Sequence, residues 1–216
     1  DIKPGNVIVS LSSSGKASYE NEYNGGMGSN GLTSARHDVF SKEYLAKYPD
    51  SSDPNTPGEV KFVGSKKLTD TINVNGEEIT IGKLVLSPTR SYLPVMQKVF
   101  SVLKGKIDGI IHCTGGGQTK VVKFVDNVKV IKDNLFDVPP LFEMIQKESG
   151  TAWKEMYQVF NMGQRMEFYL DEKYAQEIID ISNSFNIDAK IIGRVVEAPK
   201  AEVEITTAHG TFNYFT

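Results

Sequence analysis

Residues 107–120 read IDGIIHCTGGGQTK, and this stretch indicates the fold more directly than any other. The apolar run at 107–112 predicts a strand that ends at His112. Three consecutive glycines follow, although glycine loses more backbone entropy on folding than any other residue. The next segment, TKVVKFV, predicts a short helix. A strand, a glycine bend and a helix in this order leave backbone N–H groups free to meet an anion such as phosphate.

The same bend has a second interpretation, a tight turn packed against another part of the backbone. The stretch matches neither G-x-x-x-x-G-K-[ST] nor G-x-G-x-x-G, the phosphate-binding patterns with a defined mechanism. Thr114, Gln118 and Thr119 offer neutral hydrogen-bonding groups, and Lys120 and Lys123 offer positive charge. The local sequence leaves both interpretations open.

A second loop has the same construction. Val7–Leu11 predicts a buried strand, SSSG and then GGMGSNG follow, and a helix is predicted from Leu32 to about Tyr48. Ser29 or Asn30 would serve equally well as an ordinary helix N-cap, which needs no ligand. Two loops of this kind in one domain would suit a ligand that has both a phosphate and a polar body.

The remaining sequence interleaves helix and strand patterns without a regular βαβ repeat. Helices are predicted from Ser87-Pro88 to about Leu103, where Pro94 would delay or kink the helix, and at 139–149, 153–160 and 174–185. Strands are predicted at 128–131, 166–170, 189–198 and 202–207. Residues 49–82, with a hairpin turn predicted at Asn75-Gly76, form an irregular excursion from the main fold. We expect a single α+β domain over residues 1–216, with a mixed β-sheet and helices on its faces.

The composition is that of a globular protein: of 216 residues, 39% are hydrophobic and 24% are charged. A net charge of −3 argues against nucleic-acid binding, because neutralising a phosphate backbone requires an excess of Lys and Arg. No apolar run reaches the roughly 18 residues of a membrane span. One cysteine excludes an internal disulfide, and three scattered histidines give no metal-ligand cluster. A reducing, cytoplasmic location without a metal site in this chain fits best.

Few side chains suggest catalysis directly. Arg90, in the first turn of a predicted helix, either reaches one of the two loops or is solvated on the surface. His112 is either a buried, hydrogen-bonded strand residue or a base, and no carboxylate nearby in sequence would orient it. The apolar stripe at 153–160 indicates core packing. The sequence shows no nucleophile with a neighbouring base, so catalytic residues stay unassigned.

Five segments together resemble one known family. They are NVIVSLSSSG at 6–15, GSNGLTSAR at 28–36, LVLSPTRSY at 84–92, HCTGGG at 112–117 and KEMYQVFNMG at 154–163. In this order they resemble the C-terminal domain of phosphoribosylformylglycinamidine cyclo-ligase, also called aminoimidazole ribonucleotide synthetase, over about residues 4–197. The last segment, with its FNMG, is the most specific.

The resemblance implies a three-layer α/β/α fold and an ATP-dependent ring closure in purine biosynthesis. ATP would phosphorylate the formyl amide oxygen of formylglycinamidine ribonucleotide, and the amidine nitrogen would then displace phosphate and close the imidazole ring. The resemblance also implies Mg²⁺ and a homodimer of the full-length protein. An N-terminal ATP-binding domain, which this chain lacks, would supply much of the nucleotide and metal site, so this chain alone would be inactive.

The two loops and their neighbours give a set of residues expected to bind substrate or phosphate at the cleft between the two domains. They are Ser13, Ser14, Gly15, Ser29, Asn30, Gly31, Thr114, Gly115, Gly116, Gly117 and Lys120, with Arg90, His112, Asn161 and Gly163 as further candidates. Which loop holds the substrate and which approaches ATP stays unassigned.

Three features differ from the family pattern. Gly28 stands where the family has a histidine, Arg165 stands where a glycine commonly follows FNMG by two, and QTKVVKFVD replaces the Asn and Pro-Arg that follow the family's glycines. Lys120 or Arg165 would then supply a missing charge. These differences keep two alternatives open. One is another ATP-dependent member of the superfamily, such as an amidotransferase-coupled synthetase, a selenophosphate synthetase or a hydrogenase-maturation factor; the other is a non-catalytic ribotide-binding module.

Overall fold

The computed structural model describes residues 1–215, apart from the side chain of Asn30. The strands in this part of the chain are β1 (Val7–Ser12), β2 (Thr71–Val74), β3 (Glu77–Thr80), β4 (Ile107–His112), β5 (Val128–Lys132), β6 (Gln164–Leu170), β7 (Ala189–Glu197), β8 (Glu202–Thr207) and β9 (Gly210–Phe215). The α-helices are α1 (Leu32–Val39), α2 (Glu43–Lys47), α3 (Ile81–Val85), α4 (Leu93–Leu103), α5 (Pro140–Ser149), α6 (Trp153–Val159) and α7 (Ala175–Asn183). Short 3₁₀ helices occupy Ser29–Gly31, Pro49–Ser51, Gly58–Val60, Gly117–Phe124 and Glu172–Tyr174.

One large sheet organises the fold. Its seven strands lie in the order β4-β6-β1-β7-β5-β8-β9, while β2 and β3 form a separate hairpin. Neighbouring strands of the large sheet run antiparallel, except β5 and β8, which run parallel. The predicted mixed sheet is therefore confirmed, and it places β4 and the glycine bend at one edge.

Helices cover both faces of this sheet. Side chains alternate between the two faces along each strand, and apolar side chains on both faces need to be buried. On β1, Ile8 belongs to a core under α1, α3, α5 and α6, whereas Val9 and Leu11 belong to a second core under α4 and α7. Each core is closed by the apolar stripe of its helices, such as Val99 of α4 against Ile178 of α7. The three-layer α/β/α arrangement that the resemblance implied is thus confirmed.

Residues 40–86 pack onto the first of these cores. Phe62 and Leu84 are buried within it, so the predicted excursion is integrated with the main fold. The predicted hairpin turn is confirmed: Asn75 (φ 54°) and Gly76 (φ 90°) both have positive φ and connect β2 to β3.

The helix predicted from Leu32 to Tyr48 is interrupted. It ends at Val39, and Phe40 is extended and forms a parallel bridge with Lys66 before the short helix α2 begins. β9 was not predicted; it forms an antiparallel hairpin with β8.

The helix does not begin at Ser87-Pro88; its start is delayed to the residue before Pro94, and a delay by Pro94 was the alternative that the sequence left open. α4 begins at Leu93, with a proline in its first turn. Residues 87–92 are irregular because their polar groups bind distant backbone. Ser87 Oγ accepts a hydrogen bond from the amide of Gly25 (2.8 Å), and Tyr92 donates one to the carbonyl of Ser12 (2.5 Å). These long-range bonds replace the local capping that the sequence suggested.

Candidate functional site

The glycine bend follows directly from the end of β4. Gly115, Gly116 and Gly117 have φ of 63°, 119° and 51°, a left-handed run that residues with a Cβ rarely adopt. This backbone shape explains the three consecutive glycines. It turns the chain sharply from the edge strand into the 3₁₀ helix Gly117–Phe124.

The three glycines have different surroundings. A Cβ on Gly117 would lie 2.5 Å from the carbonyl oxygen of Phe160 and 2.6 Å from that of Tyr157, so the packed-turn interpretation describes this position. Gly115 is exposed, and a Cβ on Gly116 would make only ordinary contact with Lys120, at 3.4 Å. Of the three glycines, Gly115 and Gly116 therefore have space beside them for a ligand atom, and Gly117 does not.

The side chains of Lys120 and Thr119 stabilise the bend through hydrogen bonds to its carbonyls. Lys120 Nζ donates to the carbonyl of Thr114 (2.9 Å), and the amide and hydroxyl of Thr119 both donate to the carbonyl of Gly116 (3.0 Å each). The carbonyls of Thr114 and Gly116 therefore accept hydrogen bonds from the protein, while the amides of Gly115 and Gly116 donate none to its backbone within residues 1–215.

Arg90 contacts the first loop, which was one of the two predictions made for this residue, and is not solvated on the surface. Its guanidinium donates to the carboxylate of Glu20 through Nε (2.9 Å) and Nη2 (2.8 Å), to the carbonyls of Ser12 (3.1 Å) and Ser14 (3.2 Å) through Nη1, and to the carbonyl of Gly15 (3.0 Å) through Nη2. Since arginine has five N–H donors, none is left for a ligand. Arg90 therefore stabilises the conformation of the first loop.

The rest of the first loop is turned inward. Gly15 exchanges backbone hydrogen bonds with Asn24 (3.0 and 2.8 Å), which closes the loop on itself. Ser13 is buried, its amide donates to the carbonyl of Gly163 (2.9 Å), and its hydroxyl has no partner in the described residues. Ser14 is half-buried.

The second half of this loop approaches the glycine bend. Ser29 is exposed, the side chain of Asn30 lies outside the described residues, and a Cβ on Gly31 would lie 2.7 Å from the ring of Phe160. Gly31 is therefore required by packing. Ser29–Gly31 form the 3₁₀ turn that precedes α1, and no side chain caps it in the described residues.

Asn161 ties the FNMG segment to this loop. Its Nδ2 donates to the carbonyl of Gly26 (2.9 Å), and its Oδ1 accepts from the amide of Gly163 (3.1 Å). Met162 (φ 51°) and Gly163 (φ 99°) are both left-handed, so this asparagine stabilises an unusual turn. The structure gives Asn161 and Gly163 a positioning role.

Arg165 is the residue that the candidate set left out. Its Nη2 donates to the carbonyl of Gly26 (2.7 Å), and its own carbonyl accepts from the amide of Cys113 (2.8 Å), so it joins the loop to the start of the bend. Burial lowers the pKa of Arg165 below its usual value. The sequence signal was present, because Arg165 is one of the positions at which the chain was expected to depart from the family it resembles.

A small cleft unites several of these residues. It is lined by Met27, Gly28, Gly31, Cys113, Thr114, Gly115, Val159, Phe160, Asn161 and Arg165. The structure thus brings the second half of the first loop, the glycine bend and the FNMG segment together, while Ser14 and Gly15 lie under Arg90, outside the lining.

His112 stands at the end of β4 beside the cleft. It is half-buried, and its Nε2 is buried without a partner among the described residues. Burial lowers the pKa of His112, and the nearby charges of Arg165 and Lys120 lower the pKa further. At neutral pH the imidazole is therefore neutral.

A buried polar network, which sequence reasoning missed, supports the bend from the sheet. Lys132 Nζ bonds to Oε1 of Glu167 (2.5 Å) and to the carbonyl of Gln118 (2.7 Å), and Tyr169 donates to Glu167 (2.7 Å). Gln118 Nε2 in turn donates to the carbonyls of Asn161 (2.7 Å) and residue 164 (2.8 Å). The network links the 3₁₀ helix after the bend to the FNMG segment.

Residues 1–215 contain no group of three or more His, Cys, Asp or Glu side chains that could hold a metal ion. Over the same residues, no helix has the length and apolar character needed to cross a bilayer.

The sequence matches the profile of the family described as AIR synthase related protein, C-terminal domain, over residues 3–206. The chain therefore belongs to this family.

Among its relatives, the phosphoribosylformylglycinamidine cyclo-ligase of Methanocaldococcus jannaschii is 32% identical over 198 residues, covering 92% of this chain and 47% of the relative. The enzyme of the same name from Methanopyrus kandleri is 33% identical over 199 residues, covering 91% and 46%. That from Syntrophus aciditrophicus is 30% identical over 208 residues, covering 92% and 48%. This chain spans about half the length of the curated relatives it matches.

Proposed function

We propose that this chain is the C-terminal domain of an ATP-dependent cyclo-ligase that converts formylglycinamidine ribonucleotide to aminoimidazole ribonucleotide. Family membership over residues 3–206 and relatives that carry the cyclo-ligase name support the assignment. The chain would act as a single domain and would be inactive without the other half of the polypeptide.

One observation carries the proposal: the glycine bend meets the Gly28 loop at a cleft, with the amides of Gly115 and Gly116 available. Backbone amides in a left-handed bend before a helix bind phosphate well. An amide oxygen is a poor leaving group and phosphate is a good one, so the reaction depends mainly on positioning and on charge stabilisation. In this chain, the bend would hold a phosphate group while Asn161 and Lys120 keep its surroundings rigid.

ATP and Mg²⁺ would bind chiefly through the N-terminal domain, since the described residues offer no acidic cluster. The full-length protein would be a cytoplasmic homodimer whose cleft lies between the two domains, with no nucleic-acid or membrane partner.

Gly28 bears on the non-catalytic alternative. If the space beside Gly28 were empty, the missing side chain would favour a site that has lost its activity. The guanidinium of Arg165 fills this space, which supports a rearranged site that keeps a polar group.

An ADP-release assay on the full-length protein with formylglycinamidine ribonucleotide and ATP tests the proposal. We expect ADP release that depends on the ribonucleotide, and none from this chain alone. Absence of substrate-dependent ADP release from the full-length protein would reject the cyclo-ligase. Titration with ribose 5-phosphate compounds, with and without ATP, then distinguishes a different synthetase from a module that only binds.

A further inference from the structure

Arg165 is a buried arginine without a counter-charge. It lies on β6 and is 2% exposed, yet none of the ion pairs among residues 1–215 includes it. Nη2 donates to the carbonyl of Gly26, and Nε is buried without a partner. Buried charges in proteins are normally paired or bound to an ion, because desolvation of an isolated charge is costly. The unused donors of this guanidinium therefore need an explanation.

Arg90 shows what a structural arginine looks like in the same fold. It is 4% exposed, uses five donors on protein oxygens, and is paired with Glu20. Burial would lower the pKa of Arg90, but its bonds to the Glu20 carboxylate raise the pKa above the usual value. Arg165 has one hydrogen bond and no carboxylate, and burial leaves its pKa lowered. The two arginines are equally buried, but Arg90 is satisfied by protein and Arg165 is not.

The charged surroundings of Arg165 are positive. Of the groups that act on it electrostatically, Tyr92 and Cys113 are neutral at pH 7 and Arg90 is a cation whose charge is already paired. Arg165 and Lys120 both repel a proton from His112, which has a buried nitrogen without a partner. No carboxylate is among the groups that act on Arg165 and His112. Glu167 acts on the neighbouring Cys113, but its carboxylate is already paired with Lys132.

The cleft gives this charge access to a ligand. Arg165 lines it together with Gly28, Thr114 and Gly115, and its volume of about 10 Å³ admits one oxygen-sized atom. Gly115 is exposed and lines the cleft, Gly116 follows it in the chain, and within residues 1–215 neither amide donates a backbone hydrogen bond. A guanidinium in the lining and two backbone amides in the adjoining bend match the charge and the size of an oxyanion.

We propose that Arg165 binds a phosphate group, with one phosphate oxygen entering the cleft and the others lying against the amides of Gly115 and Gly116. The anion site rests on the contacts given above. That the phosphate belongs to a ribonucleotide, whether substrate or the group being transferred, rests on the proposed function. Gly28 has no side chain because the guanidinium must reach this position.

The test uses the full-length protein and inorganic phosphate as the probe, with chloride at equal ionic strength as the reference. Arg165→Gln removes the charge, and Lys123→Gln removes a charge from an exposed position on the 3₁₀ helix Gly117–Phe124, which follows the glycine bend. We expect phosphate to raise the unfolding temperature of the wild type and of Lys123→Gln. Phosphate affinity should fall about tenfold to a hundredfold in Arg165→Gln, the loss expected for a charged hydrogen bond. Equal phosphate affinity in Arg165→Gln and the wild type would overturn the proposal.

If Arg165→Gln does not fold, the wild type decides the question by itself. In ¹⁵N-glycine-labelled protein, phosphate should shift the amide resonances of Gly28, Gly115 and Gly116, and unchanged resonances at saturating phosphate would overturn the proposal. Arg165→Lys, which keeps the charge, should retain part of the affinity. Phosphate binding without ring closure would reject only the proposed function, whereas ring closure that is insensitive to Arg165→Gln would reject only this site.

Discussion

The guanidinium of Arg165 occupies the space that a side chain at position 28 would need. Its Cζ and Nη2 lie 3.1 Å from the position of a Cβ on Gly28, and Nη1 is nearer still. The backbone of Gly28 is extended (φ −117°, ψ 161°), a conformation open to any residue, so Arg165 and not the backbone requires the glycine. The two positions that the resemblance singles out as departures, 28 and 165, are therefore in direct contact in the structure.

We first predict that Gly28→Ala displaces Arg165 and lowers the free energy of unfolding by about 1–3 kcal/mol, because the new methyl group overpacks the site. In an Arg165→Ala background the same substitution should cost less than about 0.5 kcal/mol. Urea denaturation of the four proteins in this double-mutant cycle measures the coupling. Equal costs in both backgrounds would show that the two positions do not interact.

A second prediction separates the two roles found in the glycine bend. Gly116→Val should abolish phosphate binding and leave the domain folded, because its Cβ meets only Lys120 while the side chain blocks the anion. The left-handed φ of 119° costs about 1–3 kcal/mol, which a domain of ordinary stability survives.

Gly117→Ala is the matched comparison for this substitution. A methyl group there collides with the carbonyls of Phe160 and Tyr157, so the expected loss is at least about 2 kcal/mol of stability. Thermal unfolding and phosphate titration of both variants distinguish a binding defect from a packing defect. Unchanged phosphate affinity in Gly116→Val would mean that the bend is only a turn.

The sequence predicted most of the elements because their local patterns agree with the fold. The strand β4 has the predicted bounds, and α5 (Pro140–Ser149) lies within the predicted range 139–149 and is followed by Gly150 in the left-handed conformation (φ 71°). β9 was missed, although the turn before Gly210 and the alternating TFNYF offered a signal. The order of the strands in the sheet depends on pairings between distant segments, which a single sequence does not show.

The site was only partly predictable for the same reason. The glycines and small polar residues mark the two loops. Their local sequence does not show that Arg90 donates all its hydrogen bonds to Glu20 and loop carbonyls, or that Arg165 has no acidic partner among the described residues. Those facts depend on contacts between residues 70 to 139 positions apart. A buried arginine without an acid is visible only after the chain has folded.

A third prediction concerns the buried pair beneath the bend. Lys132→Met leaves Glu167 buried without its cation and removes a donor to Gln118, so we expect a loss of about 3–5 kcal/mol. Lys132→Met combined with Glu167→Gln should lose less than the two single substitutions together, because no lone charge remains. Lys129→Met, on the same strand but in a partly exposed pair, should cost less than about 1 kcal/mol. Strictly additive losses in the double variant would contradict the coupling.

The last prediction concerns the pH dependence that His112 introduces. The pKa of its imidazole is lowered from 6.5 in the folded protein by burial and by Arg165 and Lys120. The unfolded chain therefore binds a proton more readily than the folded one, and His112 makes stability fall as pH drops below about 6.5. His112→Gln should weaken this fall without removing it, since burial and the charges of Arg36 and Lys61 lower the pKa of His37 too. Urea unfolding at about pH 7.5 and about pH 5.5 measures the difference between the two proteins.

Phosphate should reverse the effect at His112. An anion bound beside Arg165 stabilises the protonated imidazole, so phosphate raises the pKa of His112. Imidazole proton resonances followed through a pH titration, with and without phosphate, measure this shift directly. His37 contacts Phe62 away from the cleft and serves as the internal control, because phosphate should leave its pKa unchanged. A pKa of His112 that phosphate does not move would place the anion away from the end of β4 and contradict the arrangement proposed for Arg165.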